Sequence, residues 1–397
     1  MTHFNVLIVG AGHAGSQVAI ALRQLGFEGS IGIVGDEADL PYERPPLSKD
    51  YLQGEKDFER IMIRPARFWD EQRIELLTGR RVTRVLPDAH SVLSEDGERH
   101  GYDHLIWATG GAPRRLTCPG SNLEGVHYIR SRADVDRLLG ELPRARRVAV
   151  IGGGYIGLEA AASLRKMGKD VVLLEALDRV LARVAGETLS RFVEAEHRGH
   201  GVDVRLGVVV RQLEAAGPRV GAVSLDDGTR IPADLVIAGI GIVPAVQALL
   251  EAGAEGGNGV VVDGQCRTSL ADVFAIGDCA CHHNRFADGA SLRLESVQNA
   301  VDQANVVART LMHQEARYES LPWFWSNQYD LKLQTAGLAL GYDRTGVRGE
   351  PSARAFSIEY FKGDRLIAVD CVNAPRDYVA ARKKLSEQFS SGLALPA

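Results

Sequence analysis

Val6-Leu7-Ile8-Val9-Gly10-Ala11-Gly12-His13-Ala14-Gly15 and Val148-Ala149-Val150-Ile151-Gly152-Gly153-Gly154-Tyr155-Ile156-Gly157 are two versions of one pattern, an apolar run that ends in Gly-x-Gly-x-x-Gly. The first glycine of such a turn permits a sharp reversal and the second lets backbone approach a pyrophosphate. The third lets helix pack closely on strand, so that phosphate oxygens meet the helix N-terminus. One copy is weak evidence. Here each is followed, about 20 residues on, by a second apolar run that ends in an acid. These runs are Ile31-Gly32-Ile33-Val34-Gly35-Asp36 and Val171-Val172-Leu173-Leu174-Glu175. A carboxylate in that place accepts the hydroxyls of an adenosine ribose. The chain thus has room for two dinucleotides, one on Gly10, Gly12, Gly15 and Asp36, the other on Gly152, Gly154, Gly157 and Glu175.

A second repeated segment supports two copies of one unit. Residues 96–110, ending Ile106-Trp107-Ala108-Thr109-Gly110, align without gaps on residues 227–241, ending Ile237-Ala238-Gly239-Ile240-Gly241. Each reads as a hairpin arm with an Asp-Gly turn, a polar link, and a buried strand with a small-residue exit. Thr109, Gly110 and Gly241 stand at those exits, where small residues let a cofactor or another strand pass close. Later, Thr268 to Ile276 leads into Gly277-Asp278, and a helix with apolar residues at Val297, Ala300, Ala304, Val307, Ala308 and Leu311 begins near Ser296. Asp278 can cap a turn or hold a polyol chain. From Pro322 the character changes. Aromatics concentrate at Trp323-Phe324-Trp325, two antiparallel strands flank Lys362-Gly363-Asp364, and residues 377–389 read as an amphipathic helix.

Composition bounds the rest. At 397 residues the chain exceeds one core, so two or three domains are expected. Hydrophobic content of 45% with 24% charged residues is ordinary for a globular protein, and a net charge of -5 gives no reason to expect nucleic acid. Met1-Thr2-His3-Phe4 leads straight into the first strand without the flanks of a signal peptide. Residues 235–250, the longest apolar stretch, are interrupted and too short to span a bilayer, so a cytoplasmic location without membrane partner is expected. The five cysteines are scattered and odd in number, which favours reduced thiols. Cys279-Ala280-Cys281 lacks redox-motif spacing and no second cluster completes a metal site, so none is expected and the pair reads as buried small residues.

The order of glycine turn, small-residue exit, second glycine turn and late Gly-Asp strand resembles, over the whole chain, the flavoproteins that bind two dinucleotides. Within them Pro41-Tyr42-Glu43-Arg44-Pro45-Pro46-Leu47-Ser48-Lys49, Gly277-Asp278-Cys279-Ala280 and Pro322-Trp323-Phe324-Trp325-Ser326-Asn327-Gln328 are similar to the FAD-dependent NADH:ferredoxin reductases of the putidaredoxin-reductase and ring-dioxygenase-reductase type. The resemblance implies an α/β fold of glutathione-reductase-like topology. Two Rossmann-like domains are expected, a discontinuous one for FAD (1–110 and 241–320) and one for NAD(H) (111–240), with a small α+β domain at 321–397. The FAD positions it implies are Ala14, Asp36, Lys49, Val82, Arg130, Asp278 and Val297. Disulfide reductases of this fold carry a cysteine pair beside the flavin, whereas this chain has no cysteine before Cys118. Electrons must then leave without a thiol relay.

By the same resemblance NADH gives a hydride to the flavin and single electrons pass to a 2Fe–2S ferredoxin, expected to be acidic, that serves a cytochrome P450 or a ring-hydroxylating dioxygenase. Lys49 and Glu159 are placed beside isoalloxazine and nicotinamide, with Glu159 bonded to the carboxamide and paired with Lys49; the alternative is two solvated charges. The helix near Ser296 aims its N-terminus at the flavin, with Glu295 meeting the nicotinamide through its backbone. Trp325 faces the carrier or is a core residue. Arg382-Lys383-Lys384 is a solvated helix face or part of a docking rim. A partnerless NADH oxidase or diaphorase and a redox-regulated interaction protein of the apoptosis-inducing-factor type are the other function classes, and sequence leaves the oligomeric state open.

Overall fold

Residues 2–390 are described by a computed structural model, so residues 391–397 of the expected C-terminal domain lie outside the described residues. The chain divides into two compact units, Met1–Arg44 with Phe58–Ala112 and Val243–Pro322, and Pro45–Asp57 with Pro113–Ile242 and Trp323–Ala397.

In the first unit the strands Ile74–Leu77, Ile31–Val34, Thr2–Val9, Arg99–Trp107 and Val273–Ala275 lie side by side and parallel. The start of Arg99–Trp107 pairs antiparallel with Ser91–Ser94, which carries Val82–Leu86, completing seven strands. Val6, Leu7 and Ile8 are wholly buried, as strands covered on both faces require, which explains their unbroken apolar run. Helices His13–Gln24 and Val297–Leu311 meet on one face through Val18, Leu22, Ala304 and Val307.

The second unit repeats this plan. Its parallel sheet runs Asp203–Leu206, Asp170–Glu175, Arg147–Ile151, Leu235–Ala238, Val126–His127. Equivalent bonds close the two glycine turns: Gly10 N donates to Val34 O at 2.7 Å, Gly152 N to Leu174 O at 2.8 Å. The Asp-Gly turns match too, with φ of 85° at Gly97 and 86° at Gly228. The arms beyond them differ. Arg99–Trp107 is one continuous strand with no polar link, whereas the second copy breaks into Arg230–Pro232 and Leu235–Ala238. Pro232, which has no N–H to give a neighbour, stands where the first copy has Gly101.

The end of the second unit is a five-stranded antiparallel sheet in the order Trp323–Gln328, Leu331–Gly337, Arg365–Val372, Ala355–Lys362, Arg344–Glu350. Helix Pro375–Ser390 lies against it and buries Tyr378, Ala381 and Leu385. Alternation along Trp323–Gln328 buries Ser326 and Gln328 while Trp323 and Trp325 stay partly exposed.

Candidate functional site

Each glycine turn distinguishes glycines the protein needs from one it does not. Gly10 and Gly152 have φ of 112° and 110°, a region side chains avoid. A Cβ on Gly15 would overlap the carbonyl oxygen of Gly10, and one on Gly157 that of Gly152. The middle glycines face open space: a Cβ on Gly12 would have only Arg44 Nε within reach, at 3.9 Å, and one on Gly154 nothing within 4 Å. The helices they start, His13–Gln24 and Tyr155–Lys166, have no side-chain cap and no acid in the first turn. Two helix N-termini without a side-chain cap and with clear approaches at Gly12 and Gly154 fit the pyrophosphates of FAD and NAD(H).

In the first unit Ala14 packs where a Cβ on Gly277 would lie 3.2 Å from its own Cβ, which sets the Gly277-Asp278 turn against the start of the first helix. Gln303 Oε1 accepts from Gly277 N at 2.7 Å, and Arg293 donates to Asp278 O at 2.6 Å and pairs with Glu295 at 3.0 Å. Val297 opens its helix behind the Ser296 cap. Thr109 Oγ1 is bonded to Ala245 O at 2.8 Å and Gly110 has φ of 63°. Asp36 is exposed and lines an open cleft of about 440 Å³ with Gly79, Arg80, Arg81, Glu95 and Asp96, next to Val82. The two acids are not in equivalent places. Val9 pairs with Val34 and Ile151 with Leu174, so Glu175 matches Gly35, and Asp36 lies one residue further on.

In the second unit Glu175 Oε2 accepts from Gly153 N at 2.6 Å and Oε1 from Leu177 N at 2.9 Å, which fixes the carboxylate at the turn. The nearby Arg179 is committed elsewhere, to Ala182 O, Ala185 O and Ser190 Oγ at 2.7–3.0 Å. Gly241 has φ of 99°. Lys49 and Arg130, expected with FAD, belong to this unit, Arg130 immediately before the Ser131 cap of helix Arg132–Glu141.

Lys49 and Glu159 meet, and Glu159 is 3% exposed within its helix. Its carboxylate accepts from Lys49 Nζ at 2.6 Å, Ser48 Oγ at 2.5 Å and Ser326 Oγ at 2.7 Å. One turn on, Ser163 Oγ donates to Ser48 O at 2.7 Å and accepts from Gln53 Nε2 at 2.8 Å, lacing the Pro45–Asp57 segment to the same helix face. Tyr155, first in that helix, packs against Phe324 with the rings tilted and their centroids 4.6 Å apart. Trp325 lies beside Trp323 at 5.6 Å, and the Arg382 guanidinium covers the Trp323 ring at 5.1 Å. Ser48, Ser326, Gln303 and Arg293 did not stand out in the sequence. Ser48 and Ser326 sit in quoted motifs, but nothing local distinguishes a buried serine from a surface one.

The described cysteines are all free. Cys279 is buried, and burial pushes its thiol up to about 11, so it stays protonated. Cys281 departs from the expected burial: it is partly exposed beside Ser291 Oγ. Among the described residues no group of His, Cys, Asp and Glu is placed to hold a metal, and no helix is long and apolar enough to cross a membrane.

The chain is similar to known proteins over nearly its whole length. The family model of pyridine nucleotide-disulphide oxidoreductases matches residues 4–304, and the model of the reductase C-terminal region matches residues 323–394. The 5,5'-dehydrodivanillate O-demethylase ferredoxin reductase subunit of Sphingobium sp. is 57% identical over 96% of this chain and 93% of its own. Putidaredoxin reductase of Pseudomonas putida is 42% identical over 97% and 92%. The crystal structure of the covalent putidaredoxin reductase–putidaredoxin complex superposes with a TM-score of 0.94 at 41% identity, covering 98% of this chain and 94% of that one. The chain belongs to the pyridine nucleotide-disulphide oxidoreductase family, in the branch that ends in a reductase C-terminal domain.

Proposed function

We propose that this protein is a flavoprotein NADH:ferredoxin reductase, with residues 1–110 and 241–320 holding FAD, 111–240 holding NAD(H), and 321–397 forming the C-terminal α+β domain. The observation that carries the reading is the pair of glycine turns whose middle positions the protein itself leaves open. FAD, when bound, takes a hydride from NADH and releases electrons one at a time, matching a two-electron donor to a one-electron carrier.

The residues of the chain bind and orient. Asp36 would accept the ribose of FAD, with Ala14, Val82, Asp278, Val297, Lys49 and Arg130 along the rest of it. Glu175 would accept the ribose of NADH. An ionised carboxylate has about four acceptor sites. Three of those on Glu159 are taken by Lys49, Ser48 and Ser326, which leaves one for a nicotinamide carboxamide N–H. Glu295, held by Arg293, would meet the nicotinamide through its backbone. Trp325, partly exposed, would face the carrier, a 2Fe–2S ferredoxin that feeds a cytochrome P450 or a ring-hydroxylating dioxygenase, in the cytoplasm. The names of the relatives, ferredoxin reductase subunit and putidaredoxin reductase, support that partner.

The test is anaerobic mixing of the purified yellow protein with NADH and a 2Fe–2S ferredoxin. Bleaching of the ferredoxin at a rate far above oxygen or quinone reduction is expected. Rapid turnover with oxygen or quinone and none with any ferredoxin would turn the reading to a diaphorase.

A further inference from the structure

Behind Glu159 runs a line of buried side chains in which each group donates to the next. Ser326 Oγ donates to Glu159 Oε1 at 2.7 Å, and Gln328 Nε2 donates to Ser326 Oγ at 3.2 Å. Gln328 Oε1 lies 2.9 Å from His197 Nε2, and the Tyr329 hydroxyl lies 3.4 Å from His197 Nδ1. His197 and Ser326 are wholly buried, Gln328 is 2% exposed and Glu159 3%.

Directions along this line are set by chemistry. An amide oxygen only accepts, so His197 must carry its proton on Nε2, and Nδ1 is left to accept from Tyr329. That bond turns the amino end of Gln328 toward Ser326, whose own proton then points to Glu159. Burial keeps the imidazole neutral by lowering its pKa to about 4, so it offers one N–H and one acceptor at neutral pH. Four polar side chains, Glu159, Ser326, Gln328 and His197, are thus buried together. Such a line is worth its desolvation only if each member is satisfied, and here all converge on one carboxylate oxygen.

We propose that His197 is a positioning residue for hydride transfer. Its Nε2–H fixes Gln328, Gln328 fixes Ser326, and Ser326 holds the Glu159 carboxylate in the one orientation that leaves its open acceptor site for the nicotinamide. The proposal rests on the reading of Glu159 given above.

Four variants of the FAD-loaded enzyme test it: His197→Leu, His197→Gln, Gln328→Glu and Glu159→Gln. Flavin reduction by NADH is followed by stopped flow, and the imidazole N–H by NMR of histidine-labelled protein. His197→Leu should slow flavin reduction about tenfold, the size expected if the Ser326 bond to the Glu159 carboxylate is lost with the line that orients it. His197→Gln places an amide N–H near the lost Nε2–H and should recover to within about threefold of wild type. Gln328→Glu keeps the shape but replaces the donor to Ser326 with an acceptor, and should be as slow as His197→Leu with its flavin retained. The wild-type spectrum should show the Nε2–H tautomer, with a resonance that moves in Glu159→Gln.

Equal slowing in His197→Leu and His197→Gln would mean packing alone and overturn the proposal, as would an Nδ1–H tautomer. If Glu159→Gln is slow while His197→Leu and Gln328→Glu are not, the proposal fails and the reading of Glu159 stands. If Glu159→Gln reduces at the wild-type rate, the reading of Glu159 fails and the role of His197 falls with it.

Discussion

Lys49 Nζ sits 2.6 Å from Glu159 Oε2, and the two side chains are only 13% and 3% exposed. Removing one partner of a buried ion pair strands the other charge at about 3–5 kcal/mol, whereas removing both often costs little. Lys49→Met and Glu159→Gln should each lower the melting temperature, and the double variant should regain most of the loss without regaining the rate of flavin reduction. Thermal unfolding and stopped flow measure the two effects separately. A double variant as unstable as the sum of the singles would show that the pair is not a unit.

The glycine turns separate folding from binding. Gly12 and Gly154 have φ of -80° each and open surroundings, so alanine fits both. Gly12→Ala should fold with an unchanged melting temperature when stripped of flavin but retain little FAD, and Gly154→Ala should retain FAD but bind NADH weakly. Gly15→Ala and Gly157→Ala should instead be destabilised, because the new methyl group meets the carbonyl of Gly10 or Gly152. Flavin content and unfolding of all four variants decide it; a stable Gly15→Ala protein would contradict the steric argument.

What could be read from the sequence follows the same division. Gly10, Gly15, Gly152 and Gly157 are dictated by the backbone, whereas we read Gly12 and Gly154 as kept clear for a ligand, and such demands leave marks at fixed local spacing. The doubled Asp-Gly turns at Gly97 and Gly228 were legible for that reason. Ser48, Ser326 and His197 left no local mark. Ser48 and Ser326 reach Glu159 across 111 and 167 residues, and His197 reaches Gln328 across 131. Only tertiary folding brings them together. The membership of Pro45–Asp57 in the second unit has the same cause, since its hydrogen bonds to Glu159 and Ser163 join distant parts of the chain.

Glu175 should set nucleotide choice. Its carboxylate is pinned by Gly153 N and Leu177 N, and Arg179 is tied to two carbonyls and a hydroxyl, so the Arg179 guanidinium is not turned toward a 2′-phosphate there. NADH should be preferred to NADPH by more than about tenfold in kcat/KM, the equivalent of one lost charge-assisted bond or more. Glu175→Ala should narrow the ratio mainly by weakening NADH. Equal efficiencies in the unaltered enzyme would place Glu175 away from the ribose.

Two buried histidines give stability a pH dependence. His197 and His282 are each lowered to about 4, foremost by burial, from the ordinary 6.5. Between those values the unfolded chain binds protons that the folded chain does not, so stability rises with pH. Their contribution is whole above 6.5 and is lost as pH falls through about 4. The urea midpoint should therefore drop from pH 7 to pH 4.5, and less so in His197→Gln or His282→Gln. An equally steep drop in both variants would assign it to other groups.

The strand Trp323–Gln328 turns Ser326 toward Glu159, and alternation sends the side chain of Trp325 to the other face. Adjacent residues thus serve what we propose to be hydride entry and electron exit. Trp325→Ala should slow reduction of a 2Fe–2S ferredoxin while leaving NADH-to-ferricyanide activity nearly intact, since a small oxidant needs no docking surface. Glu159→Ala should impair flavin reduction whichever acceptor is used. Trp325 also packs beside Trp323 at 5.6 Å, so a purely structural role would appear as a lowered melting temperature with both half-reactions unchanged. Stopped-flow measurement of the two half-reactions separates these outcomes. If Trp325→Ala slows only flavin reduction, or neither step, Trp325 does not face the carrier.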